Sequence, residues 1–281
     1  MGAMRRSATE QSMAPVVQSV ELPGRVSLPY VEQGDPSGVC VLLLHGFTES
    51  WRAFELVLPH LPKSMHAIAM TQRGHGDASR PATGYRMGDF AADLAAFMDA
   101  LHLDKAVIAG DSMGGVVAQR FAIDHPERVL GLVLMGSPVT LRGKPRVLEL
   151  WNSTISELAD PIDPGFLRQW LSGIPTRPVP QEFFETMLEE CLKVPARVWR
   201  EVNASLMKDD HSGELNRIQA PTLILWGDRD SLTEPDQRVL AAAIEGSRLA
   251  VYDGAGHALT WEEPVRVAAD LAAFVAALGE T

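Results

Sequence analysis

A serine hydroxyl is a weak nucleophile that needs a neighbouring base, and that base needs a carboxylate to orient it. The chain offers the three residue types in the order serine, acid, histidine: Ser112 within Gly110-Asp111-Ser112-Met113-Gly114-Gly115, Asp230 after Trp226-Gly227-Asp228-Arg229, and His257 after Gly254-Ala255-Gly256. Gly110 and Gly114 lie two residues before and two after the serine. Very small residues are required there if a strand is to turn sharply into a helix with the serine exposed at the bend. The helix start behind the serine leaves N–H groups free where an oxyanion would form, and the Met113 N–H is one expected donor. The chemistry of such a set is acyl transfer.

Asp111 is the competing nucleophile. The tiny positions would then have to be 109 and 113, and Met113 is too large, so the sterics select Ser112. Asp228 competes with Asp230 for the acid. Among the eight histidines, only His257 combines a loop after a late strand with the required chain order. His45 and His75 are expected to brace loops by hydrogen bonding, and His60, His66, His102, His125 and His211 to be ordinary surface or helix-end residues.

These residues need strands to carry them. Val39 to Leu44, Ala67 to Met70, Ala106 to Ala109 and Leu130 to Met135 are short, nearly continuous apolar runs, as expected of parallel strands covered on both faces. Leu223 to Trp226 and Leu249 to Tyr252 extend the set. Between them Phe90, Leu94, Phe97 and Leu101 recur at helical spacing, as do Val267, Leu271, Phe274 and Leu278, with Pro264 at a first-turn position. Alternating strand and helix predicts a doubly wound α/β sheet whose ligands bind at the carboxyl ends of the strands. The alternation stops between about residues 139 and 219, where helical patterns follow one another at Arg146 to Glu157, Pro164 to Leu171, Gln181 to Leu192 and Pro195 to Met207, separated by proline-rich turns. This stretch reads as a helical cap over the active edge, dividing the chain into core 14–138, cap 139–219 and core 220–281. The cap's aromatic and methionine residues include Phe166, Phe183 and Met207. Most are expected to be cap core, with Trp151, Trp170, Phe184, Met187 and Trp199 as the candidates to face a substrate.

The 281 residues are 46% hydrophobic and 22% charged, a globular composition, and 25 basic against 36 acidic residues give a net charge of −11. That field repels phosphate backbones and anionic membrane surfaces, so nucleic-acid and membrane partners are not expected. Two cysteines, Cys40 and Cys191, build neither a disulfide framework nor a four-thiolate metal site, which suits a reduced, cytoplasmic setting. No apolar run approaches the roughly 20 residues of a membrane-spanning helix. The N-terminal residues lack the apolar segment of a signal peptide, and residues 1–3 ahead of Met4 read as an appended tag. Asp209-Asp210-His211 reads as a solvated turn, and no metal or cofactor is implied. A homodimer is left open.

With these motifs in order, the chain resembles the α/β-hydrolases of the serine-nucleophile branch, such as small bacterial esterases, lactonases and cofactor-free haloperoxidase-like enzymes. His45-Gly46-Phe47 matches the family's His-Gly loop, Arg73-Gly74-His75-Gly76 its Arg-Gly-x-Gly loop, and Gly256-His257 with Glu262 and Pro264 its histidine loop. The resemblance extends over nearly the whole chain beyond the first dozen residues and is weakest in the cap. It implies a mostly parallel sheet with the cap inserted after the sixth strand, the Phe47 N–H as second oxyanion donor, and Asp230, by its spacing from Gly227, as the acid. Departures from the family pattern are Thr71 for an aspartate, Asp111 for histidine or asparagine before the serine, and Thr48 where haloperoxidase-like relatives have proline. The implied function is hydrolysis of a carboxylic ester or lactone of a small, largely apolar substrate through an acyl-enzyme, at a rate rising with pH near 6 to 7 for an unperturbed histidine. Two other readings are a slow-turnover ligand sensor that signals through a protein docked on the cap, and a carbon–carbon bond hydrolase. The latter is disfavoured because Ala258 follows His257 where those relatives have tryptophan.

Overall fold

A computed structural model describes residues 15–279. The tag reading of residues 1–3 and the signal-peptide reading of the first residues fall outside that range. Among the described residues no helix is long and apolar enough to cross a membrane.

Eight strands form one sheet in the order β1-β2-β4-β3-β5-β6-β7-β8. They are β1 (Gln18–Leu22), β2 (Val26–Gln33), β3 (Cys40–Leu44), β4 (His66–Met70), β5 (Ala106–Asp111), β6 (Val129–Met135), β7 (Thr222–Gly227) and β8 (Arg248–Tyr252). The pairs β1–β2 and β2–β4 are antiparallel and all others are parallel. The apolar runs are continuous because alternate residues enter different cores. Leu42, Leu44, Ile108 and Leu134 face one core, while Val41, Leu43, Val107 and Val133 face the other.

The first core is covered by α1 (Met87–Ala100) and α2 (Met113–Asp124). On the opposite face α9 (Pro264–Leu278) buries Val267, Leu271 and Phe274. The shorter helices α7 (Glu234–Ala243) and α8 (Leu259–Glu262) flank β8 in sequence. Four helices occupy the chain between β6 and β7: α3 (Pro145–Ser153), α4 (Pro164–Ser172), α5 (Gln181–Leu192) and α6 (Ala196–Lys208). Each starts at or just after a proline, whose fixed φ suits a first turn and whose missing N–H costs nothing there.

Candidate active site

The carboxyl end of β5 delivers Asp111, the chain bends at Ser112, and α2 begins at Met113. Ser112 has φ 48° and ψ −113°, a left-handed conformation that costs a non-glycine residue about 1–3 kcal/mol. Its neighbours hold it there, with the Ser112 N–H donating to the Met135 carbonyl at 2.9 Å and Gly115 N–H to the Ser112 carbonyl at 3.0 Å. A Cβ on Gly110 would lie 2.3 Å from the Gly114 carbonyl oxygen, and one on Gly114 would lie 2.2 Å from that of Leu44. Both positions therefore need glycine for the bend to close.

The turns after β7 and β8 bring the acid and the histidine to this bend. His257 Nε2 is 2.9 Å from Ser112 Oγ and its Nδ1 is 2.7 Å from Asp230 Oδ2. Because the ionised carboxylate only accepts, Nδ1 carries the proton and Nε2 is free to accept from the hydroxyl. Burial alone would lower the His257 imidazole, but the charge and hydrogen bond of Asp230, with Asp111 and Glu49 further out, push it up to about 9. Burial would raise Asp230; His257, the Thr233 hydroxyl and the Leu232 N–H outweigh it and hold the carboxyl below its usual range. Asp228 is engaged elsewhere, its Oδ1 accepting from Gly254 N–H at 2.6 Å at the start of the histidine turn.

The loop after β3 supplies the facing wall. His45 is fully buried, with Nδ1 2.7 Å from the Gly46 carbonyl and Nε2 accepting from Gln72 N–H at 2.9 Å. The second contact leaves Nδ1 as the protonated nitrogen, and burial keeps the ring neutral by lowering its pKa well below the usual value. The N–H groups of Phe47 and Met113 have no acceptor among the described residues, and both residues line the cavity above Ser112. The arrangement thus presents a nucleophile, an oriented base and two free donors to one space, the parts needed for addition to a carbonyl. Two further carboxyls face that space, Glu49 and Asp111, which no local sequence pattern pairs.

The cavity has a volume of about 760 Å³. Its apolar lining comes from Phe47, Leu141, Val147, Leu150, Phe166, Trp170, Ile174 and Leu206, with Asn203, Thr176 and Arg146 among the polar groups. Of the five cap residues expected to line it, Trp170 does. Trp199 is instead fully buried, with ring centroids 4.8 Å from Phe47, 5.8 Å from Phe166 and 5.3 Å from Trp170. Met187 is buried in the same core, Trp151 packs against it, and Phe184 is half-buried beneath the Arg168 guanidinium at 5.7 Å. Aromatic content alone does not reveal which face of a cap helix meets the cavity, and aliphatic residues on α3 and α6 take that role.

Two other expectations need correction. Asp209 is not a solvated turn residue: its side chain accepts from Met87 N–H at 3.1 Å and Ser205 Oγ at 2.9 Å, joining the start of α1 to α6. His211 and His66 are buried rather than on the surface, His66 pairing with Glu32 at 2.8 Å. No group of three or more histidine, cysteine or acidic residues suited to a metal occurs among the described residues.

Residues 39–264 match the family model of the alpha/beta hydrolase fold. The chain is 28% identical to the monoacylglycerol lipase abhd6-B of Xenopus laevis over 92% of this chain and 82% of that protein. It is 30% identical to the 2-hydroxy-6-oxo-2,4-heptadienoate hydrolase of Pseudomonas putida, over 79% of this chain and 83% of that one. Among solved structures, Est816, described as an N-acyl homoserine lactone degrading enzyme, superposes with a TM-score of 0.76 at 29% identity, covering 92% of this chain and all of the other (100%).

Proposed function

The chain belongs to the α/β-hydrolase family, and from that premise we propose that it is a serine hydrolase acting on carboxylic esters or lactones of small, largely apolar acids. The single observation that carries this reading is His257 bridging Ser112 Oγ at 2.9 Å and Asp230 at 2.7 Å. His257 takes the Ser112 proton as Oγ adds to the carbonyl carbon, and the carbonyl oxygen, now negative, accepts from the Phe47 and Met113 N–H groups. Collapse of this adduct breaks the ester C–O bond while His257 returns the proton to the leaving oxygen. Water then attacks the acyl-enzyme with His257 again as base, releasing the acid and restoring Ser112. Asp230 holds the imidazole tautomer and stabilises its charged form throughout.

The apolar lining of a cavity of about 760 Å³ favours medium-chain or aromatic acyl groups over acetyl. Hydrolysis of a p-nitrophenyl ester chain-length series by the wild type and by Ser112→Ala tests the reading. Multiple turnovers that vanish in the variant, with the best rates beyond acetyl, are expected. Equal rates for the two proteins would overturn the serine mechanism, and a strong acetyl preference would overturn the assignment of an apolar pocket.

A further inference from the structure

Two buried carboxyls stand in the wall of the catalytic cavity, and the acyl-transfer scheme leaves both unused. Asp111 precedes the nucleophile and is 3% exposed, and Glu49, from the loop after β3, is 5% exposed. Their oxygens flank one point, since a Cβ built on Gly46 would lie 3.0 Å from Glu49 Oε2 and 3.2 Å from Asp111 Oδ2. Glu49 Oε2 accepts from Gly46 N–H at 2.8 Å. Asp111 Oδ1 is buried with no hydrogen-bond partner among the described residues.

An ionised carboxylate in such a place is costly, and two facing each other are more so. No lysine or arginine among the described residues pairs with either. The groups facing them are the His257 imidazole and Asp230 from the turns after β8 and β7, and from α5 the Cys191 thiol, which burial pushes up to about 12 and keeps neutral. The charge of His257 favours ionisation of both carboxyls, but their burial outweighs it. A proton on one of the two carboxyls removes the repulsion and gives the orphaned Asp111 group an O–H to donate.

We propose that Glu49 and Asp111 share one proton, and that Asp111 in its acid form is a hydrogen-bond donor to the acyl group bound beside Ser112. Burial raises both carboxyls above their ordinary range, and for Glu49 the charge of Asp111 adds to this. A carboxylate at position 111 would oppose negative charge on the reacting oxygen, whereas the acid supports it, as a third donor beside the Phe47 and Met113 N–H groups. The productive state has neutral His257 and one proton left on the pair. A rate that follows this joint state gives a bell-shaped pH profile whichever group ionises first. The donor role rests on the hydrolase reading above; the shared proton does not.

The test joins an infrared titration of the carboxylic-acid C=O band to pH–rate profiles of p-nitrophenyl ester hydrolysis, using the full chain. In the wild type the acid band is expected to persist at about pH 6, roughly two units above the ordinary carboxyl range, and to be absent from the Glu49→Gln/Asp111→Asn double variant. The wild-type rate falls again on the alkaline side. Asp111→Asn keeps an N–H donor without a titrating proton and loses that fall, while Asp111→Leu lowers kcat about a hundredfold. A wild type with no acid band at that pH, or a band untouched by the double substitution, overturns the shared proton. An Asp111→Asn profile that retains the alkaline fall overturns the donor role. An intact band in a protein that hydrolyses no ester upholds the shared proton and fails the ester reading instead.

Discussion

The Glu262 carboxylate accepts a hydrogen bond from Thr176 Oγ1 at 2.9 Å, joining the loop between α4 and α5 to the turn that carries His257. The same carboxylate accepts from Arg177 N–H at 3.1 Å and from Gly256 N–H at 3.0 Å, the residue before the base. Hydrogen bonds to a charged group are each worth about 1.5–3 kcal/mol, so the junction influences the placement of both the α4–α5 loop and His257. Glu262→Ala is therefore expected to lower kcat about tenfold and to raise KM, whereas Thr176→Val, which frees only the loop side, raises KM with kcat nearly unchanged. Steady-state kinetics of the two variants decide this, and equal kcat in both would show that Glu262 does not position the base.

The charge of His257 sets a second prediction. With its pKa pushed up to about 9, the base is neutral only at higher pH than an ordinary imidazole near 6.5. The acid limb of the rate profile should therefore lie above the 6-to-7 range expected from sequence. Asp230→Asn removes the main cause, moving that limb down while lowering kcat by about 10⁴. Because the folded pKa is raised, the His257–Asp230 pair contributes its full stability below about pH 6.5 and loses it as pH climbs through the folded value. Melting temperatures of the wild type should fall across that window relative to Asp230→Asn, and parallel curves would refute the linkage.

Gly114→Ala probes the bend itself. Its methyl would meet the Leu44 carbonyl oxygen at 2.2 Å, a backbone atom that cannot rotate away. Strand β3 and helix α2 must separate, at a cost of about 1–3 kcal/mol for overpacking, and Ser112 moves away from His257. Denaturant midpoints and ester hydrolysis should both drop. A variant with wild-type stability and rate would show that the approach of β3 to α2 is not required.

Trp199 separates pocket from core. Fully buried among Phe47, Phe166 and Trp170, it should cost about 3–5 kcal/mol of stability when replaced by alanine. Leu150→Trp, at the cavity wall, should instead shorten the preferred acyl chain and leave the melting temperature within a few degrees. Chain-length profiles and thermal melts of the pair measure both effects.

The parts of this structure that are legible in sequence share a physical cause. Strands covered on both faces, such as β3 and β5, appear as unbroken apolar runs, and the glycines around Ser112 mark the bend because nothing larger fits. The boundaries of α5 were readable from its proline stop and helical spacing. The β1–β2 hairpin was missed because one of its faces is exposed, leaving an alternating pattern with polar residues and Pro29 in place of an apolar run. The Glu49–Asp111 pairing was hidden for another reason. It joins a loop residue to the last residue of β5, 62 positions apart, and no local pattern records which carboxyls a fold will bury together.

Ser112 and His257 are held unevenly by the sheet. Ser112 is anchored to β5, which has partners on both sides, whereas His257 follows β8, an edge strand, which pairs only with β7 and leaves Val251 42% exposed. Amide protons of an edge strand exchange through local openings that cost less than global unfolding. His257 is therefore tethered to an edge of the sheet, which opens more readily than its centre, so thermal inactivation would begin with peeling of β8 while the Ser112 bend and the central strands are still folded.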